Sequence, residues 1–156
     1  ELEEEGGLTH LTLKVMRKGA GERSAREIAE AIEGLGVSLS AEAGHDTCFW
    51  SLITTVEDLE PSLDLLAEIL LRPTFPPDEI ENERKQVLAG IRARDDNSFQ
   101  FTYKRFLEAL YEGHPYARPV EGEPESVNRL TRDQMVAKGW IAEGDGADTV
   151  TMCAPQ

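Results

Sequence analysis

Two short runs in this chain alternate in the manner of β-strands, and every other patterned stretch before residue 138 has the period of a helix. Residues 37–41 read Val-Ser-Leu-Ser-Ala, and residues 47–56 are rich in Thr, Phe, Trp and Ile; Gly44-His45-Asp46 supplies the turn between them. A hairpin of that size cannot close a core alone, so its apolar face has to be covered by helices. These are plentiful. Leu8, Leu11, Val15 and Lys18 fall on one stripe of a helix over 7–18, with Thr12 at its polar edge, and Gly19-Ala20-Gly21 ends it. Ser24-Ala25-Arg26-Glu27 is a capping box, opening a helix that carries Ala25, Ile28, Ala29, Ile32 and Leu35. Further helices are expected over 59–71, 77–94, 99–111, 124–130 and 131–137, with a break at Asp95-Asp96-Asn97-Ser98 and a second capping box at Thr131-Arg132-Asp133-Gln134. A last strand is expected over 148–154. The pattern predicts an α+β fold, a small antiparallel sheet with helices packed mainly on one face.

The length of 156 residues suits one domain, expected over 1–156 as an excerpt of a longer chain. Thirty acidic against sixteen basic residues give a net charge of −14. Such a chain is repelled by phosphate backbones, which argues against nucleic acid as a partner. No apolar run approaches the length of a membrane span, so a soluble protein is expected, with cytoplasm and periplasm both open. Cys48 and Cys153 sit in expected strands without metal-ligand spacing and read as buried thiols. Ser40 and Ser51 lie in strands rather than on a nucleophile elbow, and no phosphate-cradling glycine loop occurs. Strand geometry sets Cys48 and Asp46 on one face and His45 on the other, which disfavours a Cys–His dyad. Trp50 and Trp140 read as core or interface.

Several segments, taken together and in order, carry a resemblance. They are Gly7-Leu8-Thr9-His10, Lys18-Gly19, Arg23-Ser24-Ala25, Ala41 with Asp46, Pro73-Thr74-Phe75, Glu83-Arg84-Lys85-Gln86-Val87-Leu88, and His114-Pro115-Tyr116 ahead of Glu125-Ser126-Val127 and Leu130-Thr131. In this series the chain resembles the insulinase/pitrilysin zinc metallopeptidases, whose motif is H-x-x-E-H on the first helix. The resemblance extends to about residue 137. It implies a β-strand ahead of that helix, which this sequence lacks.

What the resemblance implies for chemistry can be followed residue by residue. In the family the two motif histidines share a helical face, because positions i and i+4 stack, and a Glu from a later helix completes the zinc ligands. The motif Glu is the general base for a zinc-bound water whose pKa the metal lowers towards ~7. Here His10 keeps the first ligand position. The base position falls on Leu13, which accepts no proton, and the second ligand position on Lys14, an ammonium with an ordinary pKa of about 10.4. The distal ligand, seven residues after Glu83, falls on Gly90. These degenerate positions imply no catalytic residue and no cofactor in this chain, with zinc held instead by a partner. Gly90 reads either as decay after the carboxylate lost its use or as a place of close backbone approach.

Family members resembling this chain pair a zinc-bearing half with a degenerate one around a chamber. The reading is therefore a pseudopeptidase subunit or half that supports a homologous zinc-bearing subunit or second half-domain and helps hold a peptide substrate. The peptide edge implied by the resemblance is the strand over 37–43, with Ser40, Ala41, Glu42 and Ala43 as its candidate contacts. Two alternatives stay open. One is a purely structural or interaction subunit. The other is an active hydrolase in which His10 recruits His45 or His114 to an unusual metal site.

Overall fold

The computed structural model describes residues 6–137 and the backbone of 141–144 and 150–153. Trp140 and the side chain of Cys153 lie outside the described residues. The elements run α1 (Leu8–Met16), β1 (Gly19–Ala20), β2 (Arg23–Ser24), α2 (Ala25–Gly34), β3 (Ser38–Ala43), β4 (Cys48–Ile53), α3 (Leu59–Leu71), α4 (Pro77–Asp96), α5 (Ser98–Leu110), α6 (Pro124–Arg129), α7 (Arg132–Ala137), β5 (Ile141–Gly144) and β6 (Val150–Cys153). The four-stranded sheet has the order β3-β4-β6-β5 with antiparallel neighbours.

The hairpin alternation becomes a division between two faces. Leu39 and Cys48 are buried, and Ala41, Trp50 and Leu52 pack beside them against the core. Their neighbours Ser38, Ser40, Glu42, Phe49, Ser51 and Ile53 are exposed, so one face of the hairpin meets the helices. The α+β expectation holds in this form. Among the described residues β3 stands at the end of the sheet and pairs only with β4, in register from Ser38–Ile53 to Ala43–Cys48.

α1 is the central helix, packed by α4, β3 and α7. Its buried set is wider than the expected stripe, since Leu13 and Met16 join Leu8, Leu11 and Val15. Thr12 is not an edge residue. It is fully buried, and its hydroxyl donates to the Leu8 carbonyl at 2.7 Å, which satisfies the polar group inside the helix. The start of α1 is held by a close backbone approach. Gly7 has φ 87°, and a Cβ there would stand 2.5 Å from the Glu121 carbonyl oxygen. This contact fixes the turn carrying His10 against the 121–122 segment.

Both capping boxes form, at Ser24/Glu27 and at Thr131/Gln134. α4 is longer than expected and runs through Asp95 to Asp96. The break is a single residue, Asn97, whose ψ of 113° leaves the helical region while its side chain accepts from Phe99 and Gln100 to start α5. Phe75 is buried with φ 50°, and Arg132 donates to its carbonyl at 3.0 Å, pinning the turn that launches α4. Arg84, also buried, donates to the carbonyls of Val127 and Leu130, the latter at 2.7 Å, and so fastens α4 to the end of α6.

Candidate functional site

The four positions of interest come from two packed helices, α1 and α4. His10 and Lys14 are one turn apart on α1 and both are half-buried. Burial lowers the His10 pKa below its ordinary value and the nearby Lys14 charge lowers it further, while Glu121 and Glu83 act in the opposite sense without cancelling them. His10 is accordingly a neutral imidazole at neutral pH. Leu13 points into the core and is 2% exposed. Gly90 lies on the exposed side of α4, and a Cβ built there meets no atom of the described residues within 4 Å outside the neighbouring backbone of its own helix. Close approach by another described element therefore does not account for this glycine.

Glu83, seven residues before Gly90, has another role. Glu83 is buried, receives the Lys18 ammonium at 3.1 Å and accepts from the Gln86 amide at 3.3 Å. Lys18 and Glu83 both belong to the segments that carried the resemblance, but their pairing depends on how α1 meets α4 and has no signal in either segment alone.

Zinc of the His/His/Glu type does not fit these residues. One imidazole, an ammonium, an apolar side chain and a glycine supply a single neutral donor. Among the described residues no three His, Cys, Asp or Glu side chains gather as a metal ion requires.

His45 and His114 are brought together with each other rather than with α1. Both rings stand against Tyr116, at centroid distances of 5.0 and 4.7 Å. The Tyr116 backbone N–H donates to His114 Nδ1, and the Tyr116 hydroxyl donates to Asp46, which raises the tyrosine pKa. This corrects the expectation that His45 and Asp46 point to opposite faces. They sit in the hairpin turn, outside the strands, where period-two alternation does not apply.

The expected peptide edge is the outer edge of β3. Ser40 and Glu42 are exposed, Ala41 and Ala43 half-buried, and no other strand among the described residues pairs with that edge. α1 packs against β3, so this edge runs beside the helix that carries His10. Between α1, α2 and α4 opens a pocket of about 230 Å³ that includes Lys14.

Comparison with known proteins places this geometry. The chain matches the model of the insulinase family, peptidase family M16, over residues 1–124. It is 37% identical over 130 residues to an uncharacterised zinc protease of Mycobacterium leprae, covering 83% of this chain and 29% of that protein. It is 26% identical over 137 residues to an uncharacterised zinc protease of Rickettsia felis, covering 88% of this chain and 33% of the relative. The crystal structure of a peptidase M16 inactive domain from Pseudomonas fluorescens is similar with a TM-score of 0.79 at 31% identity, over 85% of this chain and 33% of that one. The chain thus spans about a third of the length of the relatives it matches.

Proposed function

This chain belongs to the insulinase family, peptidase family M16, and we propose that it is a non-catalytic half or subunit of such a peptidase, folding over residues 1–156 as one domain. In this reading it supports a homologous half that bears the zinc, and the two enclose a peptide. The observation that carries the reading is the state of four positions. His10 is the one donor left, beside a buried Leu13, a cationic Lys14 and a glycine at 90. The structural neighbour described as an inactive domain supports it as well.

Two surfaces suit a supporting role. The open edge of β3 has the geometry for adding a peptide strand through main-chain hydrogen bonds. Helix α5 buries none of its residues and exposes Phe99, Phe101, Tyr103, Phe106 and Leu110, with the Phe99 and Tyr103 rings stacked at 6.5 Å. An apolar face of that kind favours coverage by a partner, and it suits the purely structural reading equally. No helix among the described residues is long and apolar enough to cross a membrane.

Hydrolysis of a quenched peptide by the chain, by a zinc-bearing homologue and by the two together tests the proposal. The expected result is no activity from the chain alone, activity from the pair, and the same activity with His10→Ala within about twofold. Loss of about a hundredfold on that substitution, or one zinc per purified chain, refutes it.

A further inference from the structure

The pocket of about 230 Å³ between α1, α2 and α4 is lined by three cations in succession, Lys14, Arg17 and Lys18. Lys18 is neutralised by Glu83 at 3.1 Å. Lys14 and Arg17 make no ion pair with any described residue. Lys85, Arg92 and Arg129 also lack an ion pair with a described residue, but Lys14 and Arg17 share one pocket. Residues three apart on a helix are neighbours, so the two positive charges repel each other and gain from an anion placed between them. The wall facing them, from α2, is apolar and includes Ile28 and Ile32.

From this we infer that the pocket binds one carboxylate of a peptide, an acidic side chain or a free C-terminus, whose aliphatic part lies against Ile28 and Ile32. The inference rests on the proposed peptide-holding role and gives it a charge preference. A monoanion suits the site better than phosphate for two reasons. Glu83 stands in the same lining and repels a second negative charge, and the chain as a whole carries −14. The volume is below that of a drug-sized site and suits a single side chain. Lys14 occupies the second metal-ligand position, so a fixed positive charge remains where relatives of the resembled kind hold a cation.

The test uses the full chain and three dye-labelled peptides of one otherwise neutral sequence, followed by fluorescence anisotropy. One has a central Glu and an amidated C-terminus, one a Gln in its place, and one the Gln with a free C-terminal carboxylate. At least one carboxylate peptide is expected to bind about tenfold more tightly than the amidated Gln peptide, and which one does so identifies the source of the carboxylate. The preference is expected to vanish in Lys14→Gln/Arg17→Gln and to survive in Lys85→Gln, outside the pocket. Equal binding of all three peptides, a preference that persists in the double variant, or displacement by equimolar inorganic phosphate overturns the inference. Zinc content of the same preparation separates the two levels. Equal binding without zinc removes the charge preference alone, whereas one zinc per chain removes the non-catalytic reading beneath it.

Discussion

The ammonium of Lys18 stands 3.1 Å from the carboxylate of Glu83, whose side chain is 5% exposed, and this pair joins the turn after α1 to α4. Lys18→Met leaves that carboxylate buried and uncompensated. The expected loss is about 2 kcal/mol, less than the ~3–5 kcal/mol for fully buried pairs because Lys18 is 35% exposed. Adding Glu83→Leu is expected to recover most of the loss, since both charges are then gone. Urea midpoints of the two single variants and the double variant measure the coupling; additive losses mean that the pair does not hold the helices together.

Arg84 offers a different kind of fastening. Its guanidinium serves two backbone carbonyls at the end of α6, Val127 and Leu130, from a buried position. Arg84→Lys keeps the charge but loses the planar fork, leaving at least one buried carbonyl without a donor. A loss of about 1–3 kcal/mol is expected in chemical denaturation. A neutral outcome means that water reaches these carbonyls.

The helices were readable because their signals are local, and the residue types at 10, 13, 14 and 90 stand in the sequence itself. A capping box, a Pro before an apolar period and the spacing from His10 to Lys14 each need only a few residues. Within the helix over 59–71, Ile69 is fully buried, whereas Leu66 is only partly so. Short elements escaped. β1 and β2 have two residues each, too few for any period, and β5 has four. α4 runs past its expected stop because Asp95 and Asp96 disfavour a helix interior but suffice for a last turn. The basic pocket and the Lys18–Glu83 pair depend on how α1, α2 and α4 meet, which no single segment records.

The pH dependence of stability isolates His10. Its folded pKa lies below the ordinary value of about 6.5, chiefly through burial. Between the folded value and 6.5 the unfolded chain binds more protons, so this residue's contribution rises with pH across that window. The wild type is therefore expected to lose Tm relative to His10→Gln as pH falls below about 6.5, and the difference is expected to level off below the folded pKa. Comparing the two proteins removes the shared effect of the acidic surface. A difference independent of pH from 5 to 8 contradicts the assigned direction.

Gly90 sits inside α4, exposed and outside the positive-φ set, with open space where a Cβ would stand. Gly90→Ala is expected to stabilise the fold by about 1 kcal/mol, through backbone entropy alone. Destabilisation in a thermal melt means that this backbone is approached by something beyond the described residues.

The same open space makes restoration of a metal site testable. Lys14→His/Gly90→Glu puts a second imidazole one turn after His10 and a carboxylate on the facing helix, the donor types zinc prefers. Neither position is buried in the core, so the double variant is expected to fold without zinc. It is expected to hold about one zinc per chain after dialysis, and to gain about 2.7 kcal/mol of stability at a free zinc concentration near one hundred times Kd. Peptide cleavage is expected to stay absent, because Leu13 supplies no base. Leu13→Glu would bury a charge at a position only 2% exposed, at a cost of several kcal/mol. Zinc retention no higher than in the wild type means that the spacing between α1 and α4 has itself departed from a ligand geometry, and that the site is absent from the backbone as well as from the side chains.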